Sequence, residues 1–417
     1  MTTTTDKHHS VLIIGGGAAG AGMAHRLIDQ LQYRDVAVIE PSDMHYYQPM
    51  WTLVGAGIVD KESTRKRMSE LLPREATWFR DRVVAVDPDN QVVETANGER
   101  IGYDWLIVAA GLKLDWEKID GMSRELVGQY GICSNYSYET VNHTWEMIRN
   151  FQGGMALFTM PPMPIKCPGA PQKIAYLAED YFRRKGIRDQ CQVKFMTTTP
   201  GIFGVRKYAE ALMNQVIKPR NIEVNFRHNL VAIRPEKHEA VFENLDTGET
   251  VVERYDMIHV TPPQSAPDFI LDSALANESG WVDVDQHTLQ HHRYPNVFAL
   301  GDCAGTPNSK TAAAVRSQAP VVTRNLAKAM RGEPLTARYD GYGSCPLVTG
   351  FGKTILAEFV YGGEVRETFP FDQGKERKSM YLLKRYVLPL VYWKGLVQGR
   401  QWPVPVPRDF GSGHGPV

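Results

Sequence analysis

Two cysteines stand out by their surroundings. Cys167 lies in Lys166-Cys-Pro-Gly169, ahead of a predicted helix over 172–185, and Cys345 lies in Gly341-Tyr-Gly-Ser-Cys-Pro346. A thiol at a helix N-terminus beside a cation has a lowered pKa, which suits it to thiol–disulfide exchange. A lone cysteine in such a loop reads as inert packing. A second Cys-Pro loop changes that reading, because loops 178 residues apart can still flank one cleft. Of the other cysteines, Cys303 reads as packing at a strand end and Cys191 as the start of a strand over 192–197. Cys133 stays open between core and functional thiol. Five scattered cysteines with no C-x-x-C pair exclude a disulfide scaffold and structural zinc. His8-His9 and His291-His292 lack a third ligand at workable spacing, so no metal is expected.

The second chemical signal is a glycine loop. A buried strand over 11–14 runs into Gly15-x-Gly17-x-x-Gly20, with Ala19 inside the loop, then a helical pattern over 21–30 and the strand Val36–Ile39 ending at Glu40. Gly15 permits the turn, Gly17 lets a pyrophosphate approach, Gly20 lets helix pack on strand, and Glu40 suits ribose hydroxyls. FAD and NAD remain alternatives from this unit alone. A second strand end, Tyr294-Pro-Asn-Val-Phe-Ala-Leu-Gly-Asp302, delivers Gly301 and Asp302, and Asp302 suits the ribityl chain of a flavin. A third strand ends at Gly111. The strand predicted over 154–160 is followed by Pro161-Pro-Met-Pro164. Prolines offer no N–H, so no phosphate cradle forms there and the electron donor is not a nicotinamide.

With Glu40, Tyr103-Asp-Trp-Leu-Ile-Val-Ala-Ala-Gly111 and Asn296-Val-Phe-Ala-Leu-Gly-Asp302, the glycine loop resembles the flavin signatures of the two-dinucleotide-binding-domain flavoproteins. Within them the chain is most similar to sulfide:quinone oxidoreductases of the mitochondrial type. Pro164-Ile-Lys-Cys-Pro-Gly-Ala-Pro-Gln-Lys173, Ser309-Lys-Thr-Ala-Ala313, Tyr342-Gly-Ser-Cys-Pro-Leu-Val-Thr-Gly350 and Glu367-Thr-Phe-Pro-Phe-Asp372 carry that likeness. The resemblance implies an α/β fold of two Rossmann-like domains, noncovalent FAD, and catalysis by Cys167 on the flavin side with Cys345 as sulfane carrier. Hydrogen sulfide attacks the linked pair, a persulfide forms, and two electrons pass through FAD to a membrane quinone. The sulfane sulfur leaves to a small thiol, to sulfite or as polysulfide. By position the resemblance adds Gln48 as a flavin contact, Val84 on a strand whose backbone meets adenine, and Lys310 as a cation by the flavin ring. A type II NADH:quinone oxidoreductase is the rival, opposed by Pro161-Pro162 and the cysteine pair. A sulfur-carrying or redox-sensing flavoprotein without turnover is the other.

These residues must be positioned by a discontinuous FAD domain over 8–112 and 265–345, a second Rossmann-like domain over 113–264, and a segment over 346–405 facing membrane and quinone. A disordered tail is expected over 406–417, and a hairpin over 238–260 with its turn at Thr247-Gly248. Basic and acidic residues balance at 47 each, which excludes a dedicated nucleic-acid binder. No run reaches the ~18 apolar residues of a spanning helix. The first residues show no signal or transit pattern, so monotopic association with the cytoplasmic face of the inner membrane is expected. The stretch 375–400 holds seven basic residues and one acid. Its Met380, Leu383, Val387, Leu390 and Val391 follow helical spacing, and Trp393 and Trp402 add interfacial aromatics. This predicts an in-plane anchor with Leu383, Val387, Leu390 and Trp393 in lipid and Lys384, Arg385 and Lys394 on anionic headgroups, divided by Pro389. Sulfur chemistry and membrane contact are thereby assigned to separate parts of the chain.

Overall fold

The computed structural model describes residues 7–401; Trp402 and the tail 406–417 lie outside them. The first apolar runs form strands buried on both faces, as the centre of a parallel sheet requires. Lys7–Ile14 lies between Val36–Ile39 and Arg100–Val108, with Thr77–Phe79 beyond Val36–Ile39. The long strand Arg100–Val108 pairs at its start with Val92–Thr95 and at its end with Val297–Ala299. That last pairing brings 297–302 beside the glycine loop.

A second, wholly parallel sheet is built from Ile132–Cys133, Met257–His259, Gly154–Met160, Cys191–Thr197 and Glu223–Asn225, in that spatial order. The predicted hairpin is present as Glu239–Asn244 with Thr250–Arg254, joined by a third strand, His228–Arg234. The helix expected at 172 starts earlier, at Ala170, because Pro171 is tolerated in the first turn, and it ends on left-handed Gly186.

Cys345 lies on a hairpin of Gly343–Gly350 and Lys353–Phe359, which pairs Cys345 with Ala357, Pro346 with Leu356 and Ser344 with Glu358. Strand alternation puts Cys345 and Leu347 against the helix Ala170–Lys185 and turns Pro346, Leu356 and Glu358 the other way.

The C-terminal region is helical over 378–398, with wide π-type turns at Leu383–Val387 and Val391–Gly395. Pro389 does not divide it: it sits in the first turn of Leu388–Leu390, just after a wide turn. Each wide turn inserts a residue and rotates the next stretch of helix, so the simple 3.6-residue pattern fails. Val391, Trp393 and Lys384, expected at lipid, are buried, and Leu383 is half-buried. The exposed apolar face is instead Leu382, Tyr386, Val387 and Leu390, between 39% and 54% exposed. The inner face packs on the first unit. A Cβ on Gly22 would stand 2.5 Å from the Leu396 carbonyl oxygen, and Gln30 Nε2 donates to the Gly399 carbonyl at 2.7 Å. Among the described residues no helix is long and apolar enough to cross a membrane.

Candidate active site

A cavity of ≈ 490 Å³ runs from the glycine loop to the cysteines. At its first end Gly15 has φ +98° and donates to the Ile39 carbonyl at 2.8 Å. A Cβ on Gly20 would collide with the Gly15 carbonyl, whereas nothing lies within 4 Å of one on Gly17. The loop therefore leaves open space in front of the N-terminus of Ala18–His25, the room and dipole a pyrophosphate needs. Ala19, Gly111, Gly301 and Asp302 line the same cavity. Glu40 also lines it and accepts from the amides of Gly16 at 2.7 Å and Ser42 at 2.8 Å. Burial pushes its pKa up, and those amides oppose the shift. Burial raises Asp302 too, against Lys310 and Lys166. Open space at Gly17, an amide-bearing helix start and two acids along one elongated cavity fit FAD.

Gln48 accepts from Lys166 Nζ at 2.8 Å, so it is tied to the residue before Cys167. Burial lowers Lys166 to about 8. Lys310 lines the cavity, but its Nζ donates to the carbonyls of Asp302 at 2.6 Å and Ala304 at 3.1 Å, 3.9 Å from the Trp281 ring centroid. It clamps the Asp302 loop. Val84 lies on the edge strand Val83–Asp87, 43% exposed, and is not among the residues that line the cavity.

At the other end the sulfurs of Cys167 and Cys345 stand 4.0 Å apart, both cysteines unbonded. Lys173 Nζ lies 3.2 Å from the Cys167 sulfur and 3.9 Å from that of Cys345. The hydrogen bond from Cys345 and then the Lys173 ammonium hold the Cys167 thiol well below its usual range, despite burial. The same bond and burial push Cys345 well above it. Burial lowers the Lys173 amine, but the two sulfurs outweigh it and keep the cation charged. Cys167 has φ +48°, a conformation side chains rarely adopt, and its N–H donates to the Lys310 carbonyl at 2.8 Å. That bond moors the cysteine loop to the 301–310 segment. The other thiols differ. Burial pushes Cys133 to about 12 and Cys303 to about 11, and raises Cys191. None of the three lines the cavity, and the open reading of Cys133 resolves to core.

Three residues at this end carried no sequence assignment to the cysteine site. Lys173 follows Cys167 by six positions, on the helix the loop initiates. Gly169 lets the hairpin close in: a Cβ there would meet the Cys345 sulfur at 2.5 Å. Lys384 comes from the C-terminal run, buried, with Nζ donating to the Pro49 carbonyl at 2.7 Å. Lys173 was legible only as a cation spaced for the same helix end, and Gly169 as a glycine between two prolines. The sequence pattern assigned Lys384 to anionic headgroups, and its burial here corrects that reading.

Residues 9–140 match the family described as pyridine nucleotide-disulphide oxidoreductase. The mitochondrial sulfide:quinone oxidoreductase of Mus musculus is 48% identical over 383 residues, which cover 92% of this chain and 85% of that protein. The chain belongs to the sulfide:quinone oxidoreductase family. The Dictyostelium discoideum member is 45% identical over 386 residues, covering 92% and 84%. Membership makes the protein an FAD-dependent oxidoreductase. The sulfide:quinone oxidoreductase of Aquifex aeolicus superposes with a TM-score of 0.78 at 21% identity, covering 94% of this chain and 92% of that one. The family and that likeness establish the two-dinucleotide-binding fold.

Proposed function

We propose that the protein oxidises hydrogen sulfide and passes two electrons to a membrane quinone. The observation that carries this reading is the Cys167–Cys345 pair, cradled by Lys173 at the end of the cavity that fits FAD. Sulfide attacks Cys345 in the linked form of the pair. A new sulfur–sulfur bond leaves Cys345 as a persulfide, and the old bond's electron pair goes to Cys167. Cys167 suits the flavin side because it lines the cavity, its thiolate is favoured and Lys173 holds the charge. Transfer of the persulfide sulfur to a small thiol or to sulfite frees the Cys345 thiolate. The two thiolates then re-form their bond, releasing two electrons. Bound FAD supplies the two-electron acceptor and the onward connection to quinone.

The division of the chain follows the same reading. Residues 8–112 and 265–345 hold FAD, 113–264 contribute Cys167 and Lys173, and 346–405 face the acceptor and the membrane. Pro346, Leu356 and Phe369 line the cavity on the far face of the hairpin, continuous with Leu383 and Leu388 of the C-terminal run. The exposed stripe of Leu382, Tyr386, Val387 and Leu390, flanked by exposed Lys378 and Lys394, suits an in-plane seat on a membrane with anionic lipid.

The test is anaerobic stopped-flow mixing with sulfide, followed by a short-chain quinone. Sulfide should bleach the flavin absorbance and quinone should restore it. Rapid bleaching by NADH with none by sulfide would replace this reading with the NADH:quinone oxidoreductase one.

A further inference from the structure

One side chain on the C-terminal run is used neither by the membrane seat nor by the cysteine relay. Lys384 is 2% exposed, while Lys378 and Lys394 on the same run are exposed. Its side chain lines the cavity shared by Cys167 and Lys173. Four elements face it. Lys173 comes from the helix Ala170–Lys185 and Cys167 from the loop before that helix. Cys345 comes from the hairpin, and the Tyr47 ring, 5.9 Å away, lies with the Pro49 carbonyl on the segment after Tyr46. Among the described residues, the charged groups acting on Lys384 are Lys173 and the two cysteines. Two amines thus share one buried site with two sulfurs. Burial and then the Lys173 ammonium push Lys384 down to about 7, and the sulfurs oppose them. A buried lysine that can be neutral serves as a base.

We propose that Lys384 takes the proton of hydrogen sulfide as it enters and then stands as counter-cation to the thiolate that the attack releases. This rests on the sulfide-oxidising reading above. Neutral H₂S gives one proton to the neutral Lys384 amine, and the resulting HS⁻ attacks Cys345. The persulfide forms, the old sulfur–sulfur bond breaks, and its electron pair goes to Cys167. Before attack the site holds the Lys173 cation, a neutral Lys384 and a neutral cysteine link. After attack it holds two cations, a neutral persulfide and one thiolate. The net charge is unchanged, which avoids the cost of adding an uncompensated charge to a buried site. The membrane-facing segment is therefore part of the sulfur site, contrary to the separation of roles expected from the sequence.

The experiment compares the FAD-bound full chain as wild type, Lys384→Met and Lys384→Arg. The first readout is anaerobic flavin bleaching by sulfide in a single turnover against pH. The wild-type profile should be a bell, because the step needs neutral Lys384 and un-ionised H₂S together. Both variants should lose the bell and follow HS⁻, rising to a plateau. At the wild-type optimum Lys384→Met should be slower by roughly 100-fold. The second readout is alkylation of reduced Cys167 by iodoacetamide, followed by mass spectrometry. Wild type should show a step near the Lys384 value of about 7, and Lys384→Met should show none. A bell of reduced height in both variants, or an unchanged alkylation step, would overturn the proposal. Lys384→Arg keeps the buried cation and stays informative if the methionine variant fails to fold. If wild type is not bleached by sulfide, the sulfide reading falls, and the alkylation step still decides whether Lys384 titrates beside Cys167.

Discussion

The molecule contains two strand–loop–helix units that end on one cavity and do opposite things there. In the first, Lys7–Ile14 passes through the glycine loop into Ala18–His25. In the second, Gly154–Met160 passes through a proline-rich loop into Ala170–Lys185. Each loop has a left-handed residue, Gly15 in one and Cys167 in the other. The glycine loop leaves open space and free amides, the means of holding a phosphate. The proline loop has no N–H at positions 161, 162, 164 and 168, and the Cys167 amide is taken by the Lys310 carbonyl. It presents a thiol and, one turn into its helix, an ammonium. Strand ends of a parallel sheet bring ligands to the same place whatever the loop contains. The loop's own donors decide whether that place can cradle a phosphate or presents a thiol.

The sharpest break of this comparison separates the two loops by mutation. Cys167→Ser and Cys345→Ser should each reduce sulfide-dependent bleaching to background and keep a full complement of FAD, because a hydroxyl cannot exchange with a disulfide. Gly20→Ala should do the reverse. Its Cβ displaces the Gly15 carbonyl, so the protein should purify without yellow colour while its cysteines still react with a thiol reagent. FAD loss in the cysteine variants, or retained FAD in Gly20→Ala, would merge the two functions. A gentler test is Gly169→Ala, whose methyl pushes on the Cys345 sulfur and widens the pair. A displacement of about 1 Å should slow bleaching by roughly 100-fold with FAD still bound. Smaller again is Lys173→Met. Loss of the cation raises the Cys167 pKa. Alkylation of Cys167 should therefore fall near neutral pH and recover as the pH is raised. Smallest is Cys191→Ser, outside the cavity, which should leave the bleaching rate within about twofold of wild type.

Local order carried most of what the sequence revealed. The glycine loop, the strand Val36–Ile39, the proline-interrupted strand end and the hairpin at Thr247-Gly248 depend on neighbours a few residues away, and each is where its residues imply. The two Cys-Pro loops were legible as a pair only because both had unusual contexts. Lys384 and Lys173 were not assigned to the cysteine site, for different reasons. Lys173 reads as one more helical lysine until the fold directs it at both sulfurs. Lys384 sits among basic and aromatic residues that read as a membrane face, and it is buried within the wide turn Leu383–Val387. Wide turns leave no dependable mark in composition, so a 3.6-residue template put Trp393 and Lys384 on the wrong side. Val84 lies on a strand, Val83–Asp87, as its sequence context implies.

The hairpin that bears Cys345 has a property set by its pleat. Cys345 and Pro346 are neighbours in sequence yet face opposite sides of the ribbon, one toward Lys173 and Cys167, the other on the cavity wall with Leu356. A ribbon one strand thick is the partition between them. Exchanging Pro346 or Leu356 alters the face turned away from Cys345, so that face is free to drift without displacing the sulfur. Inserting or deleting a single residue between Tyr342 and Cys345 does the opposite: it reverses the pleat, turns the thiol away from Lys173 and the proline toward it, and disrupts both faces at once. This stretch of chain tolerates change of side chain far better than change of length.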